Sequence, residues 1–204
     1  MGVESSTELS RQFQEITSWP KTRVESVIKS YAEGEYDFGI DYQVIMNITG
    51  YDPDDAKELL KLHSKNDSGI VNAITVLISI IALGNSENRN EVGRLEAIFD
   101  LMDFSHNSQI SLDELTILLL CIGASFAFIL NVKDGEDDSK DPVIIEFAKQ
   151  IYDSLGKKHT SNITKDELVE WTKEHVFVHG ATNVNDLYSK LAQIATPSAE
   201  GKDE

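Results

Sequence analysis

Oxygen-bearing side chains follow a ligand-like spacing between Asp103 and Glu114. Across these twelve residues they stand at positions 1, 3, 5, 9 and 12, and position 8 is the β-branched Ile110. The predicted ligands are the side chains of Asp103, Ser105, Asn107, Ser111 and Glu114 and the backbone carbonyl of Gln109. Calcium is a hard cation that takes six to eight oxygen ligands. The spacing therefore predicts one calcium site in this loop.

Two features make this a weak site. Position 6 is Ser108 where glycine is usual, so a residue with a side chain must take a positive φ angle at a cost near 1 kcal/mol. Only Asp103 and Glu114 are charged ligands. We expect a dissociation constant of about 10⁻⁶ to 10⁻⁴ M, and we expect Mg²⁺ to compete. Because Ser111 and Glu114 also form a capping box, a metal-free helix cap is an alternative explanation.

Helical patterns and an internal repeat surround this loop. Apolar residues recur at helical spacing before it (Leu95, Ile98, Phe99, Met102) and after it (Leu115, Leu118, Leu119, Ile122). The pattern from Ile110 to Leu115 returns from Ile163 to Leu168 as isoleucine, hydroxyl residue, any residue, aspartate, glutamate and leucine. A helix–loop–helix unit cannot bury its apolar face alone, so we expect such units to pair.

This arrangement of helix, oxygen-rich loop and helix resembles the EF-hand superfamily, as in calmodulin, calcineurin B-like proteins and neuronal calcium sensors. The resemblance implies an all-α fold with two lobes. Each lobe would pair two EF-hand units through a short antiparallel β bridge near position 8 of their loops. In that register the four loops are residues 33–44, 63–74, 103–114 and 156–167. The resemblance also implies a non-enzymatic regulatory subunit that binds a helix of a larger protein.

Only the third loop, 103–114, has a complete ligand set. The fourth has Gly156 at position 1 and Lys158 at position 3, so it lacks a carboxylate and gains a cation. The second begins with His63 and ends with Ile74, and the first is acidic but ends with Val44. We therefore expect three of the four loops to be degenerate.

The same pass along the chain predicts its domain organisation. The expected segments are a flexible N-terminus (1–17), a degenerate EF-hand pair (18–84), a second pair (91–180) with an acidic insertion (131–141), a C-terminal helix (183–195) and a disordered tail (196–204).

Charge and hydrophobicity indicate the class of partner. The net charge of −17 repels nucleic acid and anionic membranes and favours cations and basic protein segments. Residues 115–130 are uncharged but fall short of the roughly 18 apolar residues of a membrane span. We expect part of this helix to line a groove for a basic amphipathic helix, through Leu118, Leu119, Ile122, Phe126 and Phe128. The alternative is that the fold buries the whole run.

Other candidate sites are weaker. Gly2 lies in a match to the N-myristoylation pattern, against which stands an ordinary solvated N-terminus; membrane contact is expected only if Gly2 is acylated. His175 and His179 are spaced like zinc ligands but lack a third partner, and Cys121 lies in an apolar helix as a core thiol. The sequence has no motif of a known catalytic site, so we expect no enzyme. The expected location is cytoplasmic. The alternative function is a structural adaptor in a cytoskeletal assembly, such as a ciliary axoneme or dynein docking complex.

Overall fold

A computed structural model describes residues 9–64, 68–84, 91–129 and 140–177. This part of the chain is mostly helical and its strands have two residues each, which confirms the predicted largely all-α fold class. The helices are α1 (Arg11–Thr17), α2 (Lys21–Glu33), α3 (Tyr42–Thr49), α4 (Pro53–Leu62), α5 (Ala73–Leu83), α6 (Glu91–Asp100), α7 (Leu112–Ile129), α8 (Lys140–Ser154) and α9 (Lys165–Thr172), which continues into a π-helical segment (Lys173–Phe177). The strands are β1 (Gly39–Ile40), β2 (Val71–Asn72), β3 (Gln109–Ile110) and β4 (Ile163–Thr164).

Two short antiparallel ladders join the loops in pairs. Strand β3 pairs with β4 so that Ile110 lies opposite Ile163, which places position 8 of the third loop against position 8 of the fourth. Strand β1 pairs with β2 so that Ile40 lies opposite Val71. The sequence-based register placed Ile70 there instead, so it was wrong by one residue, and the second loop runs over residues 64–75. A one-residue slip exchanges the buried and exposed faces of a strand, and Val71 is 5% exposed whereas Ile70 is 58% exposed.

The buried residue of each strand, Ile40, Val71, Ile110 or Ile163, is followed directly by the N-cap of a helix. Asp41, Asn72 and Thr164 accept hydrogen bonds from the first backbone amides of α3, α5 and α9. Ser111 does the same for α7, because its hydroxyl accepts from the amide of Glu114 at 3.3 Å. A polar oxygen at each start satisfies amides that have no partner within the helix.

The chain packs into two compact units. Of the described residues, the first unit contains those up to Arg94 and α7 from Cys121 onward; the second contains Leu95–Leu120, α8, α9 and the π-helical segment. The sequence-based boundary at residues 84–90 differs from this division. The reason is that the second half of α7 packs in the first unit, where the Ser125 hydroxyl donates to the Thr75 carbonyl at 2.9 Å.

The last residues of the segment 1–17, which we expected to be flexible, form helix α1 (Arg11–Thr17). Its N-cap Ser10 accepts from the amide of Phe13, and both Phe13 and Ile16 are buried, at 1% and 0% exposed. Two apolar side chains three residues apart share one helix face. Residues 1–8, most of the acidic insertion, the C-terminal helix (183–195) and the tail lie outside the described residues, and α8 begins at Lys140 within the insertion.

Candidate metal centre

Asp103 organises the third loop. It follows α6, is 5% exposed, and its carboxylate accepts three hydrogen bonds: from the Ser108 amide at 2.7 Å, the Asn107 amide at 3.2 Å and the Ser105 hydroxyl at 3.2 Å. Burial alone raises the pKa of Asp103, but the hydrogen bonds from Ser108, Asn107 and Ser105 outweigh it and leave the pKa below its ordinary value. The side chain is therefore a carboxylate at neutral pH.

The backbone of the loop turns sharply around this carboxylate. Ser108 has a φ of +58°, which confirms the positive φ expected at position 6, and His106 also has a positive φ of +52°. The Asn107 side-chain oxygen accepts from the amide of Gln109 at 2.9 Å. These bonds hold four of the six predicted ligand residues, Asp103, Ser105, Asn107 and Gln109, in one compact turn.

The remaining two predicted ligands form a capping box at the start of α7. Oxygen Oε2 of Glu114 accepts from the amide of Ser111 at 2.7 Å and from its hydroxyl at 2.8 Å, while the Ser111 hydroxyl accepts from the Glu114 amide. The predicted capping box is thus present. Both bonds to the Glu114 carboxylate use Oε2, which leaves Oε1 for another partner. Capping and metal binding are therefore compatible for this glutamate.

The chemistry of these residues fits a hard divalent cation. Every predicted ligand atom is an oxygen, and the buried carboxylate of Asp103 has no lysine or arginine paired with it among the described ion pairs. No group of three or more histidine, cysteine, aspartate or glutamate side chains is placed to hold a metal ion within the described ranges. The loop offers two carboxylates and several neutral oxygens, a donor set that would suit weak to moderate calcium affinity.

The fourth loop carries an ammonium group of its own beside the glutamate at position 12. Lys157 Nζ lies 2.7 Å from Oε1 of Glu167, while Oε2 of Glu167 accepts from the Thr164 amide at 2.9 Å. The hydrogen bond from Lys157 is the main reason that the pKa of Glu167 lies below its ordinary value. Sequence analysis identified Lys158 as the cation of this loop; the cation that contacts Glu167 is its neighbour Lys157.

The first two loops offer fewer metal ligands. In the first, Asp41 accepts from the amides of Gln43 and Val44 and serves as a helix cap. In the corrected register the second loop begins with Ser64 and ends with Thr75, so neither end has a carboxylate. His63, which sequence analysis placed at position 1, lies outside that loop in the core of the first unit.

The five residues of the predicted partner groove do not share one environment. Leu118 and Phe126 are buried, so neither lines an open surface, whereas Leu119, Ile122 and Phe128 are half-buried. Phe128 packs edge-on against His63, with ring centroids 5.2 Å apart. Leu118 and Leu119 belong to the second unit and the other three to the first. The helix is apolar on all sides, so its sequence does not reveal which side the fold covers.

Helix α7 is longer than the apolar run alone suggests. It includes Leu112–Glu114 and reaches 18 residues, and within the described ranges it is the one helix long and apolar enough to cross a membrane. The core helix of a soluble protein can have the same length and composition, so these two properties alone are weak evidence for a membrane span. Seven of its residues are buried: Leu115, Leu118, Cys121, Ser125, Phe126, Ala127 and Ile129.

The other sequence candidates have ordinary structural surroundings. Cys121 is buried, and burial raises the pKa of its thiol to about 11, which supports its assignment as a core residue. The ring of His175 stacks on Trp171 at 4.7 Å between centroids and bonds through Nδ1 to the Trp171 carbonyl. His179 and Gly2 lie outside the described residues.

Sequence analysis missed two buried or half-buried groups. Lys157 lies ten residues before Glu167. The sequence-based assignment named Lys158 as the cation of the loop instead, because Lys158 occupies ligand position 3. His63 was placed at the end of the apolar stripe of Ala56, Leu59 and Leu60 and at position 1 of the second loop, and neither placement indicated a buried imidazole. A scan of protein-family models matched none of them to this chain, and a search of curated proteins found no relative.

Proposed function

We propose that this chain is a non-enzymatic, EF-hand calcium-binding regulatory subunit with one metal site, in the third loop. The observation that carries the proposal is the combination of register and turn geometry. Ile110 lies opposite Ile163 at equivalent loop positions, and the Asp103 carboxylate gathers the amides of Asn107 and Ser108 around it. A helix cap alone requires Ser111 and Glu114 but does not require the turn around Asp103.

The proposed ligands are the six that the spacing identifies: Asp103, Ser105, Asn107, the Gln109 carbonyl, Ser111 and Glu114. Bound calcium would supply two positive charges to balance the carboxylates of Asp103 and Glu114. The chain keeps Asp103 ionised through amide hydrogen bonds and fixes Glu114 at the start of α7 through Ser111. The site therefore links the turn after α6 to the first residues of α7.

The proposed partner is a basic, amphipathic helix of a larger cytoplasmic protein. The net charge of −17 supports this choice, because it speeds encounter with positively charged segments. Among the groove residues, Leu119 and Ile122 are half-buried and remain candidates for contact, in the second and the first unit respectively.

A second candidate is a structural adaptor with little calcium dependence, such as a subunit of a ciliary axoneme or dynein docking complex. The observation that favours it is that acidic side chains of these loops are bonded by other groups of the chain itself. Glu167 is neutralised by Lys157 in the fourth loop, and Asp41 caps a helix in the first. A protein whose loops are closed by its own residues keeps its fold without metal.

Calorimetric titration of the full chain with calcium distinguishes the two candidates. The regulatory subunit binds one ion per chain with a dissociation constant of about 10⁻⁶ to 10⁻⁴ M, whereas the adaptor releases no binding heat. Glu114→Gln should abolish binding, because the amide keeps the cap but loses the charge. The matched control is Asp113→Asn, which removes an exposed charge next to it and should leave binding intact. Unchanged binding in the Glu114→Gln variant would disprove the site.

A further inference from the structure

We propose that Lys157 is a resident cation of the fourth loop, and that it holds the third loop in its metal-binding conformation. This inference rests on the proposed calcium site and concerns how that site is maintained. It makes Lys157 a positioning residue, since it touches none of the six proposed ligands in the described contacts.

The two position-12 glutamates provide an internal comparison. In both, Oε2 bonds to the N-cap residue of the following helix: Glu114 to Ser111, and Glu167 to Thr164. They differ at the other oxygen. Oε1 of Glu167 contacts the ammonium of Lys157 at 2.7 Å, whereas the described hydrogen bonds of Glu114 leave its Oε1 to a ligand. The ammonium thus takes the oxygen of Glu167 that corresponds to the proposed metal-binding oxygen of Glu114.

The backbone around Lys157 is fixed by the end of α8. Gly156 takes a positive φ of +65°, and the Lys157 amide donates to the Tyr152 carbonyl at 2.9 Å. This is the hydrogen bond of a Schellman turn, which reverses the chain after a helix. The side chain therefore starts from a defined backbone position. Its ion pair with Glu167 is half-buried, with 29% and 34% of the two side chains exposed.

Four contacts connect the fourth loop and the end of α8 to the third loop. Strands β3 and β4 pair Gln109 with Thr164 and Ile110 with Ile163. The Lys165 amide donates to the Ser108 carbonyl at 3.0 Å, and the Tyr152 hydroxyl donates to the Ile110 carbonyl at 3.1 Å. The residues held in this way include Ser108 with its positive φ and Gln109 with its proposed ligand carbonyl.

A fixed ammonium has a definite consequence for calcium binding. If only a fraction of the molecules hold the third loop in its binding-competent conformation, the apparent calcium affinity is reduced to that fraction of its full value. Lys157 raises that population without a second metal ion, so we expect one calcium per chain and a Hill coefficient of one. Simple electrostatics predicts the opposite effect of removing Lys157, because deleting a positive charge near the site attracts calcium more strongly.

The test compares Lys157→Met with Lys158→Met in calcium titrations of the full chain. Lys158 is adjacent and exposed, so this control removes the same charge without the ion pair. We expect Lys157→Met to weaken binding roughly three- to ten-fold, as loss of a half-buried ion pair suggests. Lys158→Met should leave the affinity unchanged or slightly higher. Lys157→Arg should restore most of the affinity, and Glu167→Gln should reproduce the Lys157→Met effect because glutamine preserves the cap.

A second readout needs no calcium. In chelator, amide hydrogen exchange at Ile110 and Ile163 should be faster in Lys157→Met than in wild type and unchanged in Lys158→Met. Unchanged exchange, or equal or tighter calcium binding by Lys157→Met, would overturn the proposed role of Lys157 alone. Absence of calcium binding by wild-type protein would instead overturn the proposed function, while the exchange experiment would still test the coupling between the loops.

Discussion

His63 is a buried imidazole in the first unit. Its Nδ1 lies 3.0 Å from the Leu59 carbonyl and its Nε2 lies 2.9 Å from the Ser79 hydroxyl. The rings of Phe13 and Phe128 meet it edge-on, at 5.6 and 5.2 Å between centroids. Burial lowers the pKa of His63 from 6.5 to about 4, because the charged form loses its hydration there. The folded protein therefore excludes the proton that the unfolded chain accepts.

This pKa shift predicts acid sensitivity. Stability linked to His63 is complete above pH 6.5, and it falls as the pH drops from 6.5 towards 4, because only the unfolded state binds the proton. The full loss would be about 3 kcal/mol. Urea unfolding between pH 7.5 and 5 should show this slope in wild type and not in His63→Gln. Replacement of the exposed His159 by glutamine should preserve it; an identical slope in His63→Gln would contradict the assignment.

Single residues also mark the limit of sequence analysis in the fourth loop. Lys157 and Lys158 are identical in type and adjacent, so the sequence does not decide which one reaches Glu167. The choice depends on the left-handed backbone of Gly156 and on the turn that follows α8. The residue pattern of the third loop, by contrast, correctly anticipated the positive φ of Ser108 and the capping box at Ser111.

The predicted strand register was correct for the ladder of β3 and β4 and wrong by one residue for the ladder of β1 and β2. Ile110 and Ile163 are each flanked by polar residues, so only one register buries them. Ile70 and Val71 are neighbours with similar β-branched side chains, so either suits the core position. The structure buries Val71, and the resulting register places the N-cap Asn72 directly before α5.

Helix α1 stabilises the first unit through its apolar face. Replacing the buried Phe13 by alanine should lower the free energy of unfolding by about 3–5 kcal/mol, because it removes a ring packed against His63. The matched change on the exposed face, Gln14→Ala, should cost less than about 0.5 kcal/mol. Urea unfolding measures both. Equal, small effects would mean that α1 does not belong to the core.

At the scale of the whole molecule, the fold should be independent of calcium. The chain's own groups cap α7 and α9, pair Glu167 with Lys157 and bury helix α5 along its length. Circular dichroism of the full chain should therefore be strongly helical both in calcium and in chelator. A spectrum typical of unfolded chain in chelator would contradict this and would indicate metal-driven folding.

The sequence predicted the helical class and the location of the third loop, because both depend on local spacing. It did not predict the division into units. Helix α7 is apolar on every side, so its pattern assigns it to no particular neighbour, and only tertiary packing places its second half with α5. Helix α1 was underestimated because two apolar residues in a polar segment are a weak signal.

The shared helix α7 also sets an order of events during synthesis. The first unit stays incomplete until the ribosome has passed Ile129, because Ser125 and Phe128 supply contacts to Thr75 and His63. By then the third loop has already been made. A fragment ending at Arg94 would leave those contacts unmade and expose apolar surface. We expect the nascent chain to expose this apolar surface, which favours aggregation, until α7 is complete.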